Sequence, residues 1–177
     1  MIPNYRLRIP ESPESPNNAR FPSGGADIAL VTSWLHSSSC PIASHINTSN
    51  IFLLGNSAGA IHIATYLFSD ALPSVSLPGE TLEPLTPSPS EAIKASILVS
   101  IPASFENADK SRQGITFGYY GGENDVVAER CATGLRKRSG FKGKVLVMTA
   151  ELDPEDEILS AVSFDVHTFW GGESQRA

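Results

Sequence analysis

Apolar residues gather into three short runs along the chain, and each run predicts a β-strand. The runs cover residues 51–55, 93–101 and 144–149. The first contains no polar side chain, a pattern typical of a strand buried on both faces of a parallel sheet. Segments long enough to carry crossover helices separate the runs, so the pattern predicts a mainly parallel sheet flanked by helices, an α/β fold.

Helical spacing of apolar residues predicts a helix over residues 27–36 and a second over residues 58–68. Residues 2–7 read as the end of a further strand. Residues 69–92 hold five prolines among Ser, Thr and Glu, which predicts an excursion without regular structure. Such a segment fits either the rim or lid of a site or a plain linker. Residues 105–142 read as mixed helix and loop.

Length and composition favour one domain, spanning residues 1–177, with a sizeable core. The net charge of -6 argues against nucleic acid or an anionic membrane surface as a partner, and no apolar run is long enough to span a membrane. We expect Cys40 and Cys131 to be free thiols in a reducing, cytoplasmic compartment. Neither metal-ligand spacing nor a Gly-rich phosphate loop is present, so no metal and no cofactor is expected.

The first strand runs into Gly55-Asn56-Ser57-Ala58-Gly59, a G-x-S-x-G sequence that precedes a helix. Strand, tight turn and helix are the context of a nucleophile elbow, which holds a serine hydroxyl exposed on a strained turn. Gly55 and Gly59 would leave room for the turn, Ser57 would attack a carbonyl, and the Ala58 N–H would stabilise the resulting oxyanion. The alternative is an ordinary Gly-rich strand-to-helix turn.

A carboxylate follows the third strand in Glu151-Leu152-Asp153-Pro154. Functional groups of parallel sheets lie at the carboxyl ends of their strands, and Asp153 follows Ser57 in the order that this class of catalytic triad requires. Asp153 would accept the imidazole N–H of a catalytic histidine. The alternative is a cap on a helix that starts at Pro154, and one residue could serve both purposes.

These motifs together resemble the α/β-hydrolase carboxylesterases of the hormone-sensitive-lipase type, especially their fungal relatives. The resemblance covers nearly the whole chain and depends on the joint order and spacing of its motifs. It rests on residues 4–7 (Asn-Tyr-Arg-Leu), residues 21–24 (Phe-Pro-Ser-Gly) with Asp27 and Trp34 in the following helix, the elbow at residues 55–59, and the acid loop at residues 151–154.

The resemblance implies an α/β-hydrolase fold with a cap or lid insertion, to which residues 105–142 would belong. It implies Ser57 as the nucleophile, Asp153 as the acid, Ala58 as an oxyanion donor and a small carboxylic ester as the substrate. Aromatic residues of the cap region would line or cover the acyl pocket; these are Phe105, Phe117, Tyr119 and Tyr120.

The chain departs from this family in two places. The H-G-G oxyanion loop that should precede the Tyr-Arg-Leu strand is not in the sequence, and the one histidine after Asp153 is His167. His167 is therefore the candidate base, with a surface or packing histidine as the alternative. These departures predict a domain truncated at both ends. They leave open an inactive or non-catalytic binding protein and a formamidase-like amide hydrolase. No sequence pattern sets the oligomeric state.

Overall fold

A computed structural model describes residues 1–9, 15, 18–38, 40–70, 72, 88–106, 108 and 110–164. Within these ranges, three parallel strands form one sheet in the order β1-β2-β3, with helices packed against it. The predicted α/β class and all three strands are confirmed. The elements are α1 Ser23–His36, β1 Ile51–Asn56, α2 Ala58–Phe68, α3 Pro89–Ala92, β2 Ile93–Val99, α4 Lys110–Tyr120, α5 Asn124–Arg130, α6 Ala132–Arg138, β3 Lys144–Met148 and α7 Glu155–Val162.

Strand register places the carboxyl ends of the three strands in one row. Asn56 of β1 lies beside Val99 of β2, and Val99 lies beside Met148 of β3. The loops that follow the strands therefore leave the sheet at the same edge, where open parallel sheets bind their ligands. Ser57 and Asp153 belong to the loops after the two outer strands of this row.

Helices cover one face of the sheet more completely than the other. Leu98 and Val145 point into the core formed with α1, α2 and α6. On the opposite face Phe52 is 64% exposed and Leu54 is 68% exposed. The prediction that residues 51–55 are buried on both faces is therefore wrong. An uninterrupted apolar run cannot distinguish a covered face from an uncovered one.

Two glycines bring the first two helices into close contact. The helix predicted over residues 27–36 begins earlier, at Ser23, and Gly24 and Gly25 form part of its first turn. A Cβ on Gly24 would lie 2.0 Å from the His62 ring, and a Cβ on Gly25 would lie 2.8 Å from Thr65 Cγ2. The missing side chains thus allow α1 to pack directly on α2.

The N-terminal segment is not a strand, contrary to the prediction for residues 2–7. Its backbone groups bond to α1 and to the segment before it rather than to the sheet. The Arg6 N–H donates to Asp27 Oδ2 at 2.9 Å, and the Leu7 carbonyl accepts the N–H of Ala19 at 3.0 Å. These bonds hold the segment beside the first turns of α1.

Two other predicted regions differ in part from the structure. Most of the 69–92 excursion lies outside the described residues, but its last residues form α3, where the Ser88 N–H donates to the Glu91 carboxylate at 3.0 Å. In the region 105–142, α6 packs on α2 and contributes Leu135 to the core. That part of the expected cap therefore belongs to the main helical layer. Cys40 and Cys131 are free, as predicted, and both are buried.

Candidate active site

Ser57 occupies a strained turn between β1 and α2. Its backbone angles are φ 50° and ψ -118°, in the left-handed range that side chains larger than glycine rarely adopt. The Ser57 N–H donates to the Val99 carbonyl at 2.9 Å, and its own carbonyl accepts the N–H groups of Ala60 and Ile61. Bonds to β2 and to the helix thus hold the strained residue from both sides, and its side chain is exposed.

Close packing requires a glycine at only one of the two glycine positions of the elbow. A Cβ on Gly55 would lie 2.7 Å from the backbone of Gly59 and 2.8 Å from the nitrogen of Ala60, whereas a Cβ on Gly59 would meet nothing within 4 Å. Gly55 therefore allows α2 to start directly above the strand. Gly59 contributes its backbone at the point of contact, and its lack of a side chain is not needed there.

The Ala58 N–H is available to a ligand. Ala58 is the first residue of α2, and its N–H has no hydrogen-bond partner among the residues that the structure describes. Amide groups in the first turn of a helix point outward at its positive dipole end, where they favour negative charge. A carbonyl oxygen that gains charge beside Ser57 would meet this donor.

Ser57 and Ala58 open onto a cavity of about 400 Å³. The N-terminal segment, α2, α4 and α7 contribute its walls. Of the aromatic residues expected at the pocket, Phe105, Tyr119 and Tyr120 line the cavity, but Phe117 does not. Phe117 packs instead against the small cluster of Tyr120, Val127 and Cys131. The cavity is of a size that small-molecule sites commonly have.

His62 of α2 packs against neighbouring aromatic rings and also lines the cavity. Its ring lies edge-on to Tyr5 with centroids 4.5 Å apart, and its Nδ1 is 3.4 Å from the Tyr119 hydroxyl. Burial lowers the pKa of His62 to about 4, and the nearby Asp27 carboxylate opposes this shift only in part. His62 is therefore neutral at pH 7. The sequence signal that could have indicated this position is the place of His62 on α2, the helix into which Ser57 leads.

Ion pairs balance two of the three arginines in the cavity wall. Arg6 Nη2 lies 2.7 Å from Asp27 Oδ1, and Arg112 Nη1 lies 2.5 Å from Glu157 Oε1. Arg8 also lines the cavity. Its Nη1 is buried and has no hydrogen-bond partner among the described residues. Nothing in the sequence pattern indicated this, because an arginine before a Pro-rich stretch reads as a solvated side chain.

Asp153 lies after β3 and bonds locally. Its Oδ2 accepts the N–H of Ala150 at 2.7 Å, and α7 has Pro154 as its N-cap with no side-chain cap. The helix-capping alternative is therefore not observed. Two strand spacings, about 10 Å, separate the β1 and β3 ends, so a group between the two residues would be needed to link them.

In the described part of the chain, no histidine is hydrogen-bonded to Ser57 or to Asp153. His36 bonds to the carbonyl of Thr32 within α1. The remaining candidate, His167, lies outside the described residues, and α7 ends before it, at Val162. The structure thus brings together Ser57, Ala58 and the cavity, and leaves the base as a prediction.

Comparisons with known protein families, with curated proteins and with solved structures found no match for this chain. Within the described ranges, no group of three or more His, Cys, Asp or Glu side chains could hold a metal ion. Among the helices of the described residues, none is both long and apolar enough to cross a membrane.

Proposed function

We propose that this chain is a serine hydrolase of the α/β-hydrolase carboxylesterase type, in which Ser57 attacks the carbonyl carbon of a small carboxylic ester. The observation that carries the proposal is the backbone of Ser57, held at φ 50° between a parallel strand and a helix. Such a turn raises the hydroxyl above the sheet edge. The same turn places the free Ala58 N–H beside it in one cavity.

The proposed reaction has two halves. Ser57 Oγ bonds to the carbonyl carbon while a base takes its proton, and the Ala58 N–H stabilises the oxyanion. The bond to the alcohol oxygen then breaks, and the base returns the proton to that oxygen. Water attacks the acyl-serine in the same way, releasing the carboxylic acid and restoring Ser57.

Asp153 and His167 complete the proposal as acid and base. An efficient general base has a pKa near the working pH, and the pKa of His62, about 4, is too low for that role. The position of Asp153 in the loop after β3 supports its part, because a histidine between this loop and the β1 end could contact both side chains. A carboxylate there would orient the imidazole and stabilise its charged form.

A matched pair of substrates tests this function. We expect the purified chain to hydrolyse 4-nitrophenyl butyrate, with activity lost in Ser57→Ala and kept in Lys137→Gln, an exposed change outside the cavity. Equal rates for Ser57→Ala and the unaltered chain would contradict the proposal. Faster cleavage of N-(4-nitrophenyl)butyramide than of the ester would favour the amide-hydrolase alternative. Absence of both reactions in folded protein would favour a non-catalytic binding protein.

A further inference from the structure

Arg8 is the charged group of the cavity wall whose charge no described residue balances. The other arginines there are paired, Arg6 with Asp27 and Arg112 with Glu157. Arg8 lines the same cavity, and its buried Nη1 has no hydrogen-bond partner among the described residues. Because no described carboxylate forms an ion pair with Arg8, its charge at the cavity wall favours an anion from outside the chain.

The backbone around Arg8 holds it in place. The carbonyl of Leu7 accepts the Ala19 N–H at 3.0 Å, and the N–H of Ile9 donates to Asn18 Oδ1 at 2.6 Å. Both neighbours of Arg8 are therefore fixed to the segment before α1. A side chain fixed at its base loses less conformational entropy when a ligand binds.

Glycine in α4 makes room for the Arg8 guanidinium. A Cβ on Gly118 would lie 2.7 Å from Arg8 Nη2 and 2.9 Å from Nε. The guanidinium therefore lies directly against the helix backbone, closer than any other residue type at this position would allow. Gly114, in the same helix, would meet nothing within 4 Å. The close approach is thus specific to Gly118.

We propose that Arg8 binds the carboxylate of a substrate that carries both an ester and a free carboxylate. This inference rests on the proposed function, because it places the ester end of that substrate at Ser57. One unbalanced guanidinium matches a monoanion, and arginine donors fit a planar carboxylate. Apolar side chains, including Ile61 and Ile115, line the same cavity and would contact the carbon chain between the two groups.

A binding experiment tests the proposal without requiring turnover. Monomethyl adipate, a monoanionic ester, and dimethyl adipate, its neutral counterpart, are titrated by calorimetry into the Ser57→Ala chain. We expect the monoanion to bind at least ten-fold more tightly at low salt, with the preference weakened by added salt. Arg8→Gln in that background should reduce the preference to less than two-fold, and Arg8→Lys should retain part of it.

Matched controls separate a local effect from a general one. Gly118→Ala should displace the guanidinium and lower the preference several-fold, whereas Gly114→Ala and Lys137→Gln should leave it unchanged. Circular dichroism of each variant confirms that it is folded. Equal affinity for the two esters, failure to bind either, or an unchanged preference in folded Arg8→Gln would overturn the proposal.

The two proposals can fail separately. A monoanion preference that depends on Arg8, found together with no ester hydrolysis by the unaltered chain, would contradict the hydrolase function and support the anion site. Hydrolysis that is lost in Ser57→Ala, found together with equal binding of both esters, would support the hydrolase function and contradict the anion site.

Discussion

Two serines in this chain have nearly the same positive φ and different surroundings. Ser57 follows β1 with φ 50°, and Ser100 follows β2 with φ 48°. Each donates its N–H to the last part of the neighbouring strand, Ser57 to the Val99 carbonyl at 2.9 Å and Ser100 to the Met148 carbonyl at 2.7 Å. At this level the ends of β1 and β2 are alike.

The two serines differ in the residues that come after them. Ser57 leads directly into α2, is exposed and lines the cavity. Ser100 is half-buried, leads into Ile101 and Ala103, which are both fully buried, and does not line the cavity. Backbone strain at a strand end is therefore not enough to indicate a nucleophile. A helix start beside the hydroxyl and access from a cavity are the features that distinguish Ser57.

The largest expected effect comes from the close contact of Gly55 with the start of α2, beneath the Ser57 turn. The Ser100 turn lacks such a contact. Gly55→Ala should lower the free energy of unfolding by about 3 kcal/mol or more, because its Cβ would overlap the backbone of Gly59. Gly59→Ala, its matched control, should be neutral or stabilising by up to about 1 kcal/mol, because its Cβ meets open space in a helix. Urea unfolding measures both. Equal destabilisation by the two changes would contradict this account of the turn.

His62, in the helix that follows Ser57, makes the stability of the protein depend on pH. Its pKa is about 4 when folded and about 6.5 when unfolded, so the unfolded chain binds more protons between these values. The stability due to neutral His62 is complete above pH 6.5 and is lost as the pH falls towards 4. Relative to His62→Gln, the unaltered chain should lose about 3 kcal/mol between pH 7 and pH 4.

Urea unfolding at several pH values measures this difference. Carboxylates titrate in both proteins and cancel in the comparison. A difference between the two proteins that stays constant from pH 7 to pH 4 would show that His62 is not held neutral by burial.

A smaller effect tests whether Ser57 and Ser100 share the same backbone strain. Glycine tolerates positive φ, whereas alanine keeps the strain of the serine. At both positions the glycine variant should therefore be more stable than the alanine variant by about 1 kcal/mol, the reverse of the usual order. Thermal unfolding of Ser57→Gly, Ser57→Ala, Ser100→Gly and Ser100→Ala checks this. The usual order at one position would mean that the strain is not shared.

The sequence predicted the elements whose signals are local. Apolar runs placed the three strands to within two residues at either end, and G-x-S-x-G placed the turn at Ser57. The early start of α1 was missed because Gly24 and Gly25 disfavour an isolated helix. Here the contact of Gly24 with His62 in α2 outweighs that preference.

Features created by packing between distant segments were outside the reach of pattern reasoning. The exposure of Leu54 depends on which face of the sheet the helices cover. The cavity position of His62 depends on how the N-terminal segment and α4 pack against α2. The unbalanced charge of Arg8 depends on Asp27 and Glu157, which pair with other arginines. Apart from the place of His62 on the helix that follows Ser57, none of these relations is visible in the spacing of residues along the chain.

Peptide mapping after reaction with a fluorophosphonate tests the central claim most directly. This reagent forms a bond from an activated serine oxygen to phosphorus and releases fluoride. We expect the label on Ser57, its loss in Ser57→Ala and no change in Ser100→Ala. Label on Ser100, or equal label on many serines, or none on folded protein, would contradict the claim that the Ser57 turn is a nucleophile site.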